Sequence, residues 1–232
     1  MQFKAWKIEN NHFVKEEFSE NKFCRLIRIK LKDIVNASIY IRGSMLELEN
    51  PPECSDIDLY VIFEKKIDFT LLDQIKQRIS SFGRTIDFHF YTTQNLSNNL
   101  PEMLLFHTRS LYINGPIIEY VKVKADKHLI HAYWKAYNVN FAPNIMYSNL
   151  RSRVCALKNL TRCFGLIKLI ELNLFTRDIK ECLDYAKKKE NKIHQILKDN
   201  WNIVGQKKPM NLKEIKEYLM DYQNNNIEKK VH

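Results

Sequence analysis

The chain has no uncharged apolar run of the roughly 18 residues that a membrane-spanning helix needs. Its best stretch, Phe164 to Phe175, is broken by Lys168 and Glu171. The N-terminus, with Lys4, Lys7 and Glu9, also lacks the apolar core of a secretory signal. Five cysteines (Cys24, Cys54, Cys155, Cys163 and Cys182) are odd in number, scattered and never spaced Cys-x-x-Cys. That excludes both a disulfide framework and a cysteine zinc site. His107, His128, His131 and His194 show no metal-ligand clustering, and no internal repeat is present. Low complexity is confined to Lys187–Lys189 and Asn224–Asn226. These absences lead to the expectation of a soluble, cytoplasmic protein with reduced thiols and no membrane partner.

What is present is core material. Of 232 residues, 45% are apolar and 28% charged, with 11 Tyr and 13 Phe, so a packed globular chain is expected, with disorder only in the polar tail Gln223–His232. The net charge of +10 is unevenly placed: residues 1–123 hold 16 Lys/Arg against 16 Asp/Glu, and residues 124–232 hold 21 against 11. A basic half suits an anionic partner such as nucleic acid or a triphosphate. On charge alone, the same excess reads first as a solvated, lysine-rich helical surface.

The spacing of Phe18, Phe23, Leu26, Ile27, Ile29, Leu31 and Ile34 predicts a long amphipathic helix over Val14–Val35. The period then shortens. Ala37–Ile41 reads as a strand ending at Arg42-Gly43-Ser44, Asp56–Phe63 as a second strand and Thr85–Tyr91 as a third, with a helix over Asp68–Ile79 between the last two. Leu104–Gly115 should hold a helix end, a brief strand and an Asn-Gly-Pro turn. From Ala125 to Leu219 the period is helical in four or five segments, with Thr176 and Asn211 as expected N-caps of helices over Arg177–Lys188 and Leu212–Tyr222. The switch to all-helix coincides with the shift in charge. The expected class is therefore α+β: a small mixed β-sheet domain with flanking helices over residues 1–120, then a basic all-α helical bundle over 121–232.

Three acidic residues fall on predicted strands, where ionised side chains are normally avoided unless they bind something. In Ser55-Asp56-Ile57-Asp58-Leu59, alternate spacing puts Asp56 and Asp58 on one strand face, about 7 Å apart. Asp87, between Ile86 and Phe88, adds a third carboxylate on another strand. Converging carboxylates without thiolate are hard ligands that suit Mg²⁺, with Mn²⁺ as the alternative. Such a cluster serves phosphoryl or nucleotidyl transfer. Gly43-Ser44, opening a short helix after the first strand, offers close backbone approach and donors to a phosphate.

Taken together, an apolar strand, Gly43-Ser44, Asp56-Ile57-Asp58-Leu59, a helix and Asp87 between apolar residues resemble the signature of the DNA polymerase β-like nucleotidyltransferase superfamily, across roughly residues 25 to 115. The resemblance implies that Asp56 and Asp58 hold two metals, that Asp87 completes the site and helps activate the acceptor hydroxyl, and that Gly43 and Ser44 hold the β and γ phosphates of an NTP, ATP being the expected donor. One departure is the loop after Gly43-Ser44, Met45 to Pro52, which contains Glu47 and Glu49 and no cation. Related two-domain enzymes supply a basic residue from the helical domain, which makes Lys158 and Arg151, spaced with Arg162 along one helical stripe, the candidates here.

The implied activity is Mg-dependent transfer of a nucleoside monophosphate from an NTP to a hydroxyl, with release of pyrophosphate. The acceptor stays open between RNA, a protein and a small molecule such as an antibiotic; the basic half favours an anionic acceptor such as RNA, and Glu171, Glu181 and Asp184 are the acids that could form a pocket for a cationic one. The competing reading is a non-catalytic nucleic-acid-binding or regulatory module on the same fold. No histidine after residue 140 follows an Arg within ten positions, which argues against a ribonuclease in the helical half. His89 shares a face with Asp87 but reads first as a hydrogen-bonded strand residue. Tyr133, Trp134 and Tyr137, at helical spacing, read as core rather than as a stacking platform for bases.

Overall fold

A computed structural model describes residues 5–47, 56–138, 150–206 and 208–228. Expectations for Glu49, Cys54, the loop around Pro51 and the helix start at Tyr147 lie outside the described residues. The chain divides into two compact units, Phe13–Val123 and a second made of Met1–His12 with Lys124–His232. A hairpin of two-residue strands, β1 (Ile8–Glu9) and β2 (His12–Phe13), turns at Asn10 and Asn11, both at positive φ.

The unit from Phe13 to Val123 begins in extended chain, not helix. Helix α1 covers only Lys22–Leu31, starting where the Asn21 side chain accepts from the backbone N–H of Cys24. Residues before it are claimed by longer-range bonds: Glu16 N–H donates to Thr108 C=O at 3.0 Å, and its carboxylate takes the buried Arg109 guanidinium at 2.7 Å. Those partners win over the local helical period, because Arg109 would otherwise be a buried charge without its acid. The Asn21 amide also donates to Met45 C=O, tying α1 to α2 (Ser44–Glu47).

Four strands follow: β3 (Ser38–Arg42), β4 (Ile57–Phe63), β5 (Ile86–Thr92) and β6 (Ser110–Asn114). They form one mixed sheet in the order β5-β4-β3-β6, with β4 parallel to β5 and β3 antiparallel to both β4 and β6. Alternation sorts their side chains by face. Ile39, Ile41, Leu59, Val61 and Ile113 point into a core shared with Ile27 and Leu31 of α1 and with Leu71, Ile75 and Ile79 of α3 (Phe69–Ile79). Each such fully buried aliphatic side chain contributes about 1.5–3 kcal/mol. The other face carries Tyr40, Arg42, Asp58 and Tyr60. After the short α4 (Thr93–Ser97), α5 (Leu100–Arg109) lays Phe106 across this face, its ring 4.7 Å from that of Tyr40 and 5.4 Å from that of Tyr60.

The other unit contains α6 (Lys127–Asn138), α7 (Leu150–Leu172), α8 (Ile179–Lys189), α9 (Asn191–Ile203) and α10 (Lys213–Gln223), the last continuing in a π-helical turn, Asn224–Glu228, where sequence composition predicts disorder. Tyr133, Trp134 and Tyr137 are buried as expected, and Trp134 Nε1 donates to Gln223. Two caps differ from expectation. Asp178, not Thr176, caps α8, while the Thr176 hydroxyl accepts from Asp178 N–H; α10 starts at Lys213 with no side-chain cap, and Asn211 C=O instead accepts from Asn200. Gly165 lets the loop before α8 touch α7: a Cβ there would fall on Thr176 C=O. Trp6 completes the unit, donating its N–H to Phe175 C=O at 2.9 Å and laying its ring 4.9 Å from that of Phe175. No helix among the described residues is long and apolar enough to cross a membrane.

Candidate active site

Parallel pairing of β4 with β5 sets Asp58 directly opposite Asp87. His89, two residues along β5, shares their face, and its Nε2 lies 3.6 Å from Asp58 Oδ1 and 3.7 Å from Asp87 Oδ2. One ligand atom from each of Asp58, Asp87 and His89 falls within 4.8 Å of the other two. Asp56 stands just before β4, exposed, and is not in that group. The structure thus brings together two of the three expected carboxylates and adds a histidine that alternation alone reads as a strand residue.

Arg42 ends β3 opposite Asp58 and supplies a cation in this unit itself. Its Nη2 donates to the His89 ring, 2.6 Å from Nε2 and 3.1 Å from Nδ1, and its Nη1 donates to the Tyr60 hydroxyl at 3.0 Å. Tyr60 in turn donates to Glu102 Oε2 at 2.7 Å, and Arg42 Nη1 lies 3.5 Å from the same oxygen. Burial, with Glu102 beside it, holds the Tyr60 hydroxyl well above its usual pKa against the opposing pull of Arg42, so it stays a donor. The signal for Arg42 was present in Ser38-Ile39-Tyr40-Ile41-Arg42: with Ile39 and Ile41 inward, Arg42 must share the carboxylate face. Searching for the cation after Gly43-Ser44 misses it because it stands one residue before.

Gly43, at φ +75°, lies against Asp58. A Cβ there would overlap the carboxylate, lying 3.1 Å from Asp58 Cγ. The glycine is therefore required by the seat of Asp58 as well as by the turn into α2. Lys158 is exposed on α7, and Arg151 lies in its first turn. Arg162, on the same stripe, is not a solvated cation: burial and then Arg177 lower its guanidinium to about 10. Glu171 is taken up by Tyr185 (2.5 Å), Lys189 (2.7 Å) and Tyr222 (3.2 Å), and Glu181 by Lys168.

The donor set can be tested against a divalent cation. Asp58, Asp87 and Glu102 set three carboxylates against one permanent cation, Arg42, which leaves the cluster short of positive charge. Asp58 and Asp87 fit a hard ion such as Mg²⁺ or Mn²⁺. An imidazole nitrogen beside them would tilt preference toward Mn²⁺, although here the ring accepts from Arg42 and so steadies the guanidinium behind the carboxylates.

No protein-family model and no curated protein sequence matches the chain. The fold is similar to that of spectinomycin adenyltransferase AAD(9) from Enterococcus faecialis, solved with ATP and spectinomycin, with a TM-score of 0.53 and 14% identity over 90% of this chain and 97% of that one. At that identity the likeness is one of fold alone.

Proposed function

We propose that the protein transfers a nucleoside monophosphate from ATP to a hydroxyl of a small molecule. The observation that carries this reading is the Asp58–Asp87 pair, opposed in register on neighbouring strands of a nucleotidyltransferase-like sheet and backed by Arg42, His89 and Glu102. Bound Mg²⁺ or Mn²⁺ would supply neutralisation of the triphosphate and acidify the attacking hydroxyl. Asp58 and Asp87 would hold it, with Asp56 completing the set as the resemblance implies. Gly43 and Ser44 would meet the terminal phosphates, and Lys158 and Arg151 stay candidates for the same charge.

In the reaction the acceptor oxygen forms a bond to the α-phosphorus while the bond to the bridging oxygen breaks, and pyrophosphate leaves with that electron pair. The hydroxyl proton passes to a carboxylate. Asp87, on the sheet's outer strand with its side chain 46% exposed, is the more accessible acceptor. Arg42 holds His89 and Glu102 in place behind these acids. The solved neighbour's pairing of ATP with an antibiotic supports ATP as donor and a small molecule as acceptor. Nothing in the site or in that likeness favours RNA.

The test is to incubate the chain with Mg²⁺ or Mn²⁺ and α-labelled ATP, together with hydroxyl-bearing small molecules, spectinomycin among them, and with RNA and protein as separate acceptors. Label should move to a small molecule with equimolar pyrophosphate, and Asp58→Asn and Asp87→Asn should abolish transfer while staying folded. Undiminished transfer in Asp58→Asn would overturn the assignment.

A further inference from the structure

The unit from Phe13 to Val123 contains a cavity of about 430 Å³, bounded by the C-terminal end of α5, strand β6 and the flanking segments at residues 15–18 and 117–120. That volume lies within the range of small-molecule sites, roughly 300–1,000 Å³. Rings line much of it, with Glu16 and Glu17 also in its wall: Tyr40 packs edge-on against Phe106 at 4.7 Å and Tyr112 at 5.5 Å, and His107 against Tyr120 at 5.8 Å. Lys15 stands over the Tyr120 ring, 5.6 Å from its centroid.

Two donors lining this cavity have no acceptor among the described residues. Tyr40 Oη accepts from Ile118 N–H at 3.0 Å, which fixes its position but leaves its own proton unused. His107 Nδ1 accepts from Val121 N–H at 3.3 Å, which leaves the ring proton on Nε2, also unused. Both residues are only 7% exposed. Neither proton is committed to the chain, so both are available to acceptor atoms from outside it. Burial and then the charge of Lys15 lower His107 to about 4, so its ring is neutral at pH 7 and one nitrogen is free to donate.

We propose that this cavity is a second ligand site, which takes a flat aromatic molecule bearing a carbonyl or carboxylate group, its ring between the aromatic walls and its oxygens meeting the protons of Tyr40 and His107. The site is distinct from the carboxylate cluster, because Phe106 stands between them, in ring contact with Tyr40 on one side and Tyr60 on the other. It holds whether or not the chain transfers nucleotides.

Titration calorimetry of the full chain with benzamide and benzoate tests it, the two probes separating a neutral carbonyl from a carboxylate. At least one should bind saturably. Toluene, with the ring but no acceptor, should bind about tenfold more weakly, and Tyr40→Phe should weaken the oxygen-bearing probe by a similar factor. Preference for benzoate that disappears in Lys15→Met identifies the carboxylate form. Ile117→Trp, at a position 76% exposed and so tolerant of substitution, should fill the mouth and abolish binding. Asp58→Asn should bind the probe as the parent does. The proposal fails if neither probe saturates, if Tyr40→Phe and Ile117→Trp both bind unchanged, or if ATP displaces the probe.

Discussion

Substituting Gly43 by alanine isolates the seat of Asp58. At φ +75° an L side chain carries a strain of about 1–2 kcal/mol, so folding stability should fall by that amount. The larger effect is local. The added methyl would overlap the Asp58 carboxylate, whose end is the softest atom group in its path, and the carboxylate would have to move by about 1 Å to restore ordinary contact. That displacement breaks the convergence of Asp58, Asp87 and His89, whose ligand atoms now lie within 4.8 Å of one another. Displacing the support of a metal ligand typically costs 10–100-fold in affinity, and about that loss is expected for Mn²⁺ binding. Calorimetry with Mn²⁺, beside urea denaturation of the same variant, separates the two effects. A folded Gly43→Ala protein that binds Mn²⁺ like the parent would refute the reasoning that Gly43 makes room for a metal-binding Asp58.

Other outcomes follow from single contacts. Glu102→Gln keeps a partner for Tyr60 but removes the charge facing Arg42, and should weaken Mn²⁺ binding by about tenfold with the fold intact; unchanged affinity would detach Glu102 from the site. Arg153→Leu strips the carbonyls of Ile203, Gln206 and Lys208 of their shared guanidinium partner, and should cost the helical unit about 3 kcal/mol in urea denaturation. His107, with its pKa lowered to about 4 from 6.5, lets the unfolded chain bind the proton first as pH falls. Its contribution is therefore whole above pH 6.5 and lost progressively down to about pH 4, and His107→Phe should flatten stability across that window.

The sheet is legible in the sequence because its period is enforced by burial: Ile39, Ile41, Leu59 and Val61 must face one way, which commits Arg42, Asp58 and Tyr60 to the other. Register is not legible, and it decides which charges meet. Asp58 opposes Asp87 because β4 and β5 run parallel with Ile57 against Ile86, a pairing no local pattern specifies. The helix predicted over Val14–Val35 fails in its first half for a related reason. Glu16 is held by Thr108 and Arg109, more than ninety residues away, and periodicity carries no information about partners at that range. Helix caps behave likewise: Asp178 displaces Thr176 at the start of α8 because a carboxylate two residues on reaches Glu181 N–H while Thr176 caps Asp178 itself.

The positive charge of the second half changes meaning once its side chains are placed. Arg153 is 6% exposed and spends its guanidinium on backbone carbonyls, and Arg162 is held among buried groups that lower its pKa. Lys168, Lys189 and Lys192 are each paired with a glutamate. Charges committed to carbonyls and carboxylates release few counterions on meeting a polyanion, and it is counterion release that makes a basic surface bind nucleic acid. Lys–Glu pairs already cancel within the net charge, so the formal excess overstates the surface available to RNA by the inward-held Arg153 and Arg162. By contrast, a triphosphate needs only one or two well-placed cations, and Arg42 already stands across from Asp58 within the sheet unit itself. Charge that suits a nucleic-acid partner in composition is thus, in structure, partly spent inside the helical unit.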